Sequence, residues 1–145
     1  MADETASYFI AGQRFEAPDL APGLYVVATP IGNLRDITLR ALETLAAASL
    51  VLCEDTRMSA RLLDHYGIKA RKQAFHDHNE RGRADDIARQ IAGVAAIALI
   101  SDAGTPLVSD PGYKLVRDAR AAGRMVTTIP GPCAAIAAVT LSGLP

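Results

Sequence analysis

Three short loops of small and turn-forming residues hold most of the chemistry this chain offers. They are Thr29-Pro30-Ile31-Gly32-Asn33, Ala103-Gly104-Thr105-Pro106 and Pro130-Gly131-Pro132-Cys133-Ala134. Each follows an apolar run, and ligands of open α/β sheets bind beyond the carboxyl ends of the strands. Small residues such as Ala103 and Gly104 let a backbone approach a ligand closely, and the Thr105 hydroxyl adds a hydrogen-bonding group. Glu54-Asp55 follows another apolar run; carboxylates there either bind a ribose diol or cap the next helix. The segment His76-Asp77-His78-Asn79 offers two imidazoles to a reaction that needs a general base, or else Asn79 caps the helix after it.

Other chemistries find no motif. A phosphate loop requires G-x-x-x-x-G-K-[ST], which is absent, and the first loop is not the G-x-G-x-x-G of a dinucleotide fold. His76-x-His78 has no C-x-x-C or H-E-x-x-H companion, so no metal is expected. Cys53 and Cys133 stand far apart and read as free thiols of a reducing compartment. A net charge of −1 names no partner by itself. Between Arg57 and Arg83, however, seven basic residues outnumber Asp64, Asp77 and Glu80, and all three histidines lie there. Such a segment is either a solvated helical face or a surface for a nucleic-acid backbone.

The elements that must position these loops are legible as an alternation. Strands are expected over Leu24 to Thr29, Leu50 to Cys53, Arg71 to Phe75, Ala95 to Ile100 and Met125 to Ile129. Helices are expected from Asp36 to Ala48, from Asp55 to Gly67 and from the His-Asp-His-Asn loop to Gly93. Two more run from an Asp110-Pro111 cap to Gly123 and from Cys133 to Ser142. Five strands alternating with five helices predict a three-layer α/β fold with a mostly parallel sheet and right-handed crossovers. Residues 1–23, with Pro18, Pro22 and Gly23, read as a mobile or loosely docked N-terminal arm ahead of one domain over 24–145. No apolar run reaches the ~18 residues of a membrane helix, and the acidic start lacks a signal peptide's basic region. A cytoplasmic protein is expected.

Taken together, the motifs resemble a known family. They are Ala28-Thr29-Pro30-Ile31-Gly32-Asn33-Leu34, Glu54-Asp55-Thr56-Arg57, His76-Asp77-His78-Asn79-Glu80, Ser101-Asp102-Ala103-Gly104-Thr105-Pro106, Ser109-Asp110-Pro111-Gly112-Tyr113 and Pro130-Gly131-Pro132-Cys133-Ala134-Ala135. Over residues 24–145 the chain resembles the N-terminal domain of the tetrapyrrole-methylase superfamily, and within it the small-subunit ribosomal RNA cytidine 2′-O-methyltransferases. The resemblance implies a five-stranded parallel sheet whose first and fourth strands are central neighbours. It implies S-adenosyl-L-methionine as cofactor, held by Ile31, Ala103, Gly104, Thr105, Val108, Cys133 and Ala134. The glycine-poor first loop, Thr29-Pro30, fits the RNA branch better than the porphyrin branch.

Family members carry a second α/β domain, and the cofactor lies between the two. The resemblance implies that this chain contributes half of that cleft, and it is expected to be inactive alone. The implied acceptor is a ribose hydroxyl, with His76, Asp77 or His78 near it and His78 the first choice of base. The implied partner is small-subunit ribosomal RNA, met through Arg57 to Arg83. The apolar helix after Cys133 suggests a covering domain or subunit, and a homodimer is expected. The alternatives are a tetrapyrrole C-methyltransferase domain and a non-catalytic domain that binds a partner or dimerises.

Overall fold

The computed structural model describes residues 5–93, 95–107 and 112–144, with the backbone alone over 77–84. The strands are β1 (Ser7–Ile10), β2 (Gln13–Glu16), β3 (Gly23–Val27), β4 (Leu50–Cys53), β5 (Lys72–Ala74), β6 (Ala96–Leu99) and β7 (Val126–Ile129). The helices are α1 (Leu39–Ala47), α2 (Thr56–His65), α3 (Asp77–Ala92), α4 (Tyr113–Ala121) and α5 (Ala134–Ser142). Five strands form one parallel sheet in the order β5-β4-β6-β3-β7. The first and fourth strands of that sheet, β3 and β6, are therefore neighbours, with Leu24 opposite Ile97.

Burial on both faces explains the continuous apolar runs. In β4, Leu50 and Leu52 point to one side while Val51 and Cys53 point to the other, and all four are buried. One face packs Tyr25, Val27, Val51 and Ala98 against Leu42 and Leu45 of α1 and Leu63 of α2. The other packs Leu24, Leu52, Ile97 and Leu99 against Ile87 and Ile91 of α3 and Leu115 of α4. Each fully buried side chain of this size contributes roughly 1.5–3 kcal/mol.

Three helix starts differ from the sequence expectation. After β3 the chain makes a 3-10 turn over Leu34–Asp36, and α1 begins at Leu39 rather than Asp36. Asn33 and Thr38 explain the break. The Asn33 carboxamide accepts the Arg35 N–H, and the Thr38 hydroxyl accepts the Ala41 N–H, so each supplies a separate cap. The helix expected after the His-Asp-His-Asn loop begins at Asp77, which puts Asp77 and His78 in its first turn. Gly112 is the N-cap of α4; the expected cap Asp110-Pro111 lies outside the described residues. Asp55, by contrast, caps α2 as expected, with Oδ1 accepting the Arg57 N–H at 2.8 Å.

The expected mobile or loosely docked arm is instead a hairpin across residues 7–16. β1 and β2 pair antiparallel, and Ala11 and Gly12 turn between them at φ +50° and +81°. Two successive positive φ values mark the mirror-image turn that matches strand twist. Tyr8 is buried, stacks on Phe15 at 5.6 Å and joins the α1–α2 core. The Phe9 N–H donates to the Tyr66 carbonyl at the end of α2. None of this shows as periodicity, because the strands are four residues long and β2 is exposed throughout.

Candidate active site

The loops after β3, β6 and β7 meet at the carboxyl rim of the sheet. Thr29 and Gly104 form an antiparallel bridge, with Thr29 N–H to Gly104 O at 2.9 Å and Gly104 N–H to Thr29 O at 3.0 Å. The buried Thr29 hydroxyl donates to the Ser101 carbonyl at 3.3 Å. The Ser101 hydroxyl donates to the Ala103 carbonyl at 3.1 Å and the Gly104 carbonyl at 3.3 Å. These two side chains convert a small-residue loop into a rigid turn, because their buried hydroxyls need these carbonyls.

Gly104 holds φ +78°, and a Cβ there would stand 3.2 Å from Ile31 Cγ2 and 3.6 Å from the Pro132 carbonyl. The Thr105 hydroxyl donates to that same carbonyl at 3.2 Å. Ile31, Gly104, Thr105 and the Pro132-Cys133 turn are thus brought together. Cys133 is the N-cap of α5 and makes no side-chain cap hydrogen bond, so the first-turn N–H groups of α5 lack a side-chain acceptor from it. Ala134 opens the helix and is exposed. Val108, the remaining residue of the expected cofactor set, lies outside the described residues. Leu107, beside it in sequence, adopts φ +73°, a conformation costly for a branched side chain.

A cleft of about 380 Å³ opens beside this cluster. Ile31 and Ala103 line it, together with Pro30 to Leu34, Ile100 to Asp102, and Met58, Ser59, Arg61 and Leu62 of α2. No motif in the sequence assigns α2 to the site. Its signal was present, since 58, 61 and 62 share one helical face, but a two-turn stripe reads equally as core. A shallower groove of about 580 Å³ lies on the other side of Thr105, between α4 and the edge strand β7, with Arg120 and Arg124 among its lining residues.

Of the two carboxylates after β4, Asp55 does structural work. Asp55 caps α2 and pairs with the Arg57 guanidinium at 3.1 Å; hydrogen bonds from Arg57 hold its carboxyl below the usual carboxylate range. The Asp55 N–H donates to Asp102 Oδ1 at 3.2 Å, joining the rims of β4 and β6. Burial pushes the Cys53 thiol up, which suits an inert core thiol.

The histidines separate. His65 sits in the last turn of α2, edge-on to Tyr66, at the end of the helix away from the rim where α2 begins. His76 follows β5, the sheet's edge strand, on the same rim as the cleft but outside its lining, with its Nδ1 closed off from solvent. The side chains of Asp77 and His78 lie outside the described residues. Among the basic residues, Arg57, Arg61, Lys69 and Arg71 are exposed. Among the described residues no group of three or more metal-ligating side chains occurs, and no helix is long and apolar enough to cross a membrane.

Five parallel strands in this order, helices on both faces and three loops joined beyond the strand ends define an α/β domain with a cleft at its carboxyl rim, the place where ligands of open α/β sheets bind. A family model described as Tetrapyrrole (Corrin/Porphyrin) Methylases matches residues 23–145, and the chain belongs to that family. It is 60% identical over 129 residues to the ribosomal RNA small subunit methyltransferase I of Mesorhizobium japonicum, covering 89% of this chain and 44% of that protein. It is 57% identical over 134 residues to the protein of the same name from Escherichia coli O157:H7, covering 92% and 47%. The chain thus spans less than half the length of these relatives. Among solved structures it resembles a uroporphyrin-III-C-methyltransferase from Thermus thermophilus, with a TM-score of 0.63 at 22% identity over 86% of this chain and 53% of the other. A conserved hypothetical protein from Aeropyrum pernix gives 0.65 at 23%, over 87% and 44%. Both likenesses concern the fold.

Proposed function

We propose that this chain is the N-terminal half of an S-adenosyl-L-methionine-dependent methyltransferase acting on small-subunit ribosomal RNA, with the 2′-hydroxyl of a cytidine as acceptor. The identity of 57–60% to relatives named for ribosomal RNA methylation carries the reading, because it extends over 89–92% of this chain.

The residues fit the cofactor. Gly104 lets the backbone come close, Ile31 offers an apolar surface, and the first-turn N–H groups of α5 suit a carboxylate. Ile31, Ala103, Gly104, Thr105, Cys133 and Ala134 are assigned to hold it, with Val108 added from the family pattern. When bound, the cofactor supplies an activated methyl group on a sulfonium. The work left to the protein is alignment and exclusion of water. Loops cross-linked by Thr29, Ser101 and Thr105 serve it, since a rigid rim loses little entropy on binding.

The segment His76-Asp77-His78 is assigned to the acceptor, where a base would take the hydroxyl proton. The exposed cations between Arg57 and Arg83 are assigned to the RNA backbone. A second domain would form the other wall of the cleft and cover α5, whose Ile136, Val139 and Leu141 are 64%, 62% and 87% exposed. A cytoplasmic homodimer completes the reading.

The test is incubation of the longer protein bearing this chain with small ribosomal subunits and methyl-labelled cofactor, with a porphyrinogen as the competing acceptor. Label in RNA ribose supports the reading. Label in the tetrapyrrole alone replaces it with C-methylation. Label in neither, with no cofactor bound by calorimetry, leaves a binding or dimerisation domain.

A further inference from the structure

We propose that the 380 Å³ cleft between the Pro30–Leu34 loop and α2 receives the acceptor nucleotide, and that Asp102 at its rim selects cytidine over uridine. The inference rests on the RNA-methyltransferase reading above and assigns the part of the site that the cofactor residues leave over.

Size and position favour a nucleotide. The volume is at the lower end of the ~300–1,000 Å³ typical of small-ligand pockets. The cleft shares Ile31 and Ala103 with the assigned cofactor loops, so a group inside it borders the methyl donor's side of the rim. Enzymes that act on a base take it out of the stack into such a pocket, and an enzyme that reads the base edge of its acceptor nucleotide can hold it in the same way.

The lining matches the parts of a nucleotide. Leu34 and Leu62 give apolar walls, and Met58, 51% exposed, projects a polarizable thioether at the mouth. These surfaces suit the faces of a base. Arg61 is exposed on the same helical face and supplies the charge for a phosphate. Ser59, also in the lining, is already committed, since its hydroxyl donates to the Asp55 carbonyl at 3.0 Å.

Asp102 provides the selective contact. Its Oδ1 accepts the Asp55 N–H, which fixes the carboxylate where β4 and β6 meet. A carboxylate retains acceptor capacity on its second oxygen. Cytosine presents an amine at position 4 and uracil a carbonyl, so the carboxylate attracts the first and repels the second.

The experiment uses the longer protein and small ribosomal subunits carrying cytidine or uridine at the position the wild type methylates, mapped beforehand. The wild type should favour cytidine by about tenfold or more in kcat/KM, the scale of one good base contact. D102N, which can still accept the Asp55 N–H but can also donate to a carbonyl, should bring that ratio close to one with cofactor affinity unchanged. M58A and R61A should raise KM for RNA severalfold with kcat nearly unchanged. A D102N enzyme that keeps the wild-type ratio, or M58A and R61A enzymes with unaltered KM, would overturn this inference and leave the proposed activity standing. A wild type that transfers no methyl to ribosomal RNA removes both.

Discussion

Thr29 and Gly104 face each other across the ends of β3 and β6 and exchange both backbone hydrogen bonds, at 2.9 and 3.0 Å. That bridge extends the parallel sheet by one antiparallel step and locks two loops 75 residues apart in sequence into one rim. The position of Gly104 then decides how near Ile31 and Pro132 can come.

Gly104→Ala should therefore destabilise the domain and weaken cofactor binding together. A side chain at φ +78° costs on the order of 1–2 kcal/mol, and the new methyl would also press on Ile31 Cγ2. Denaturant unfolding and calorimetry with S-adenosyl-L-methionine measure the two effects. Unchanged affinity in a destabilised variant would take the cofactor away from this loop.

Thr105→Val keeps the shape and removes the donor to the Pro132 carbonyl. The expected loss of stability is about 1 kcal/mol, the usual size of one intramolecular hydrogen bond. Loosening between the β6 and β7 loops should show as weaker cofactor binding. A full-affinity Thr105→Val protein would make this hydrogen bond structural only.

Replacing His76 and His78 together by alanine in the longer protein should cut methyl transfer to RNA by about 10²-fold or more if one of them is the base. Cofactor affinity should not move. Turnover equal to wild type would remove the segment from the reaction and leave it as the start of α3.

Asp55 links stability to pH with a definite sign. Its carboxyl titrates below the unfolded value of about 3.9 because Arg57 hydrogen-bonds and pairs with the ionised form. Its contribution is complete above that value and is lost as pH falls through the lower, folded one. Asp55→Asn retains a capping side chain and removes the charge. The Tm difference between the two proteins should be largest near pH 6 and shrink below about pH 4. A difference constant from pH 3 to 7 would mean the charge contributes nothing.

Tyr8→Ala tests the hairpin. Tyr8 is 4% exposed and packs with Phe15 and the α1–α2 core. Removing a buried aromatic costs about 3–5 kcal/mol in a well-packed site. Circular dichroism melts of wild type and variant measure it; a loss below about 0.5 kcal/mol would return residues 7–16 to the status of a loose arm.

How much could be read without coordinates depended on how local each cause is. Leu50-Val51-Leu52-Cys53 reads as a buried strand because a sheet covered on both faces needs no polar alternation. Asp55 reads as a cap because its bond to the Arg57 N–H spans two residues. The Tyr8 strand escaped detection because its partner surface, α1 and Tyr66, lies 30 to 60 residues away. The start of α1 differs from the expectation because Asn33 and Thr38 offer caps five residues apart, and the structure uses the first for the 3-10 turn and the second for the helix.

By itself the sequence determined the order of the five sheet strands and the helices between them, and hence a parallel sheet with its loops on one rim, because hydrophobic periodicity and capping act over a few residues. The tertiary structure alone decided which loops touch and what lies between them. Chain connectivity places no constraint on whether Met58 and Arg61 of α2 face Ile31 and Asp102; that follows from how α2 packs on the sheet through Leu62 and Leu63 and how the Thr29–Gly104 bridge draws β3 and β6 together. Such contacts join residues far apart in sequence, so they exist only once the core has closed.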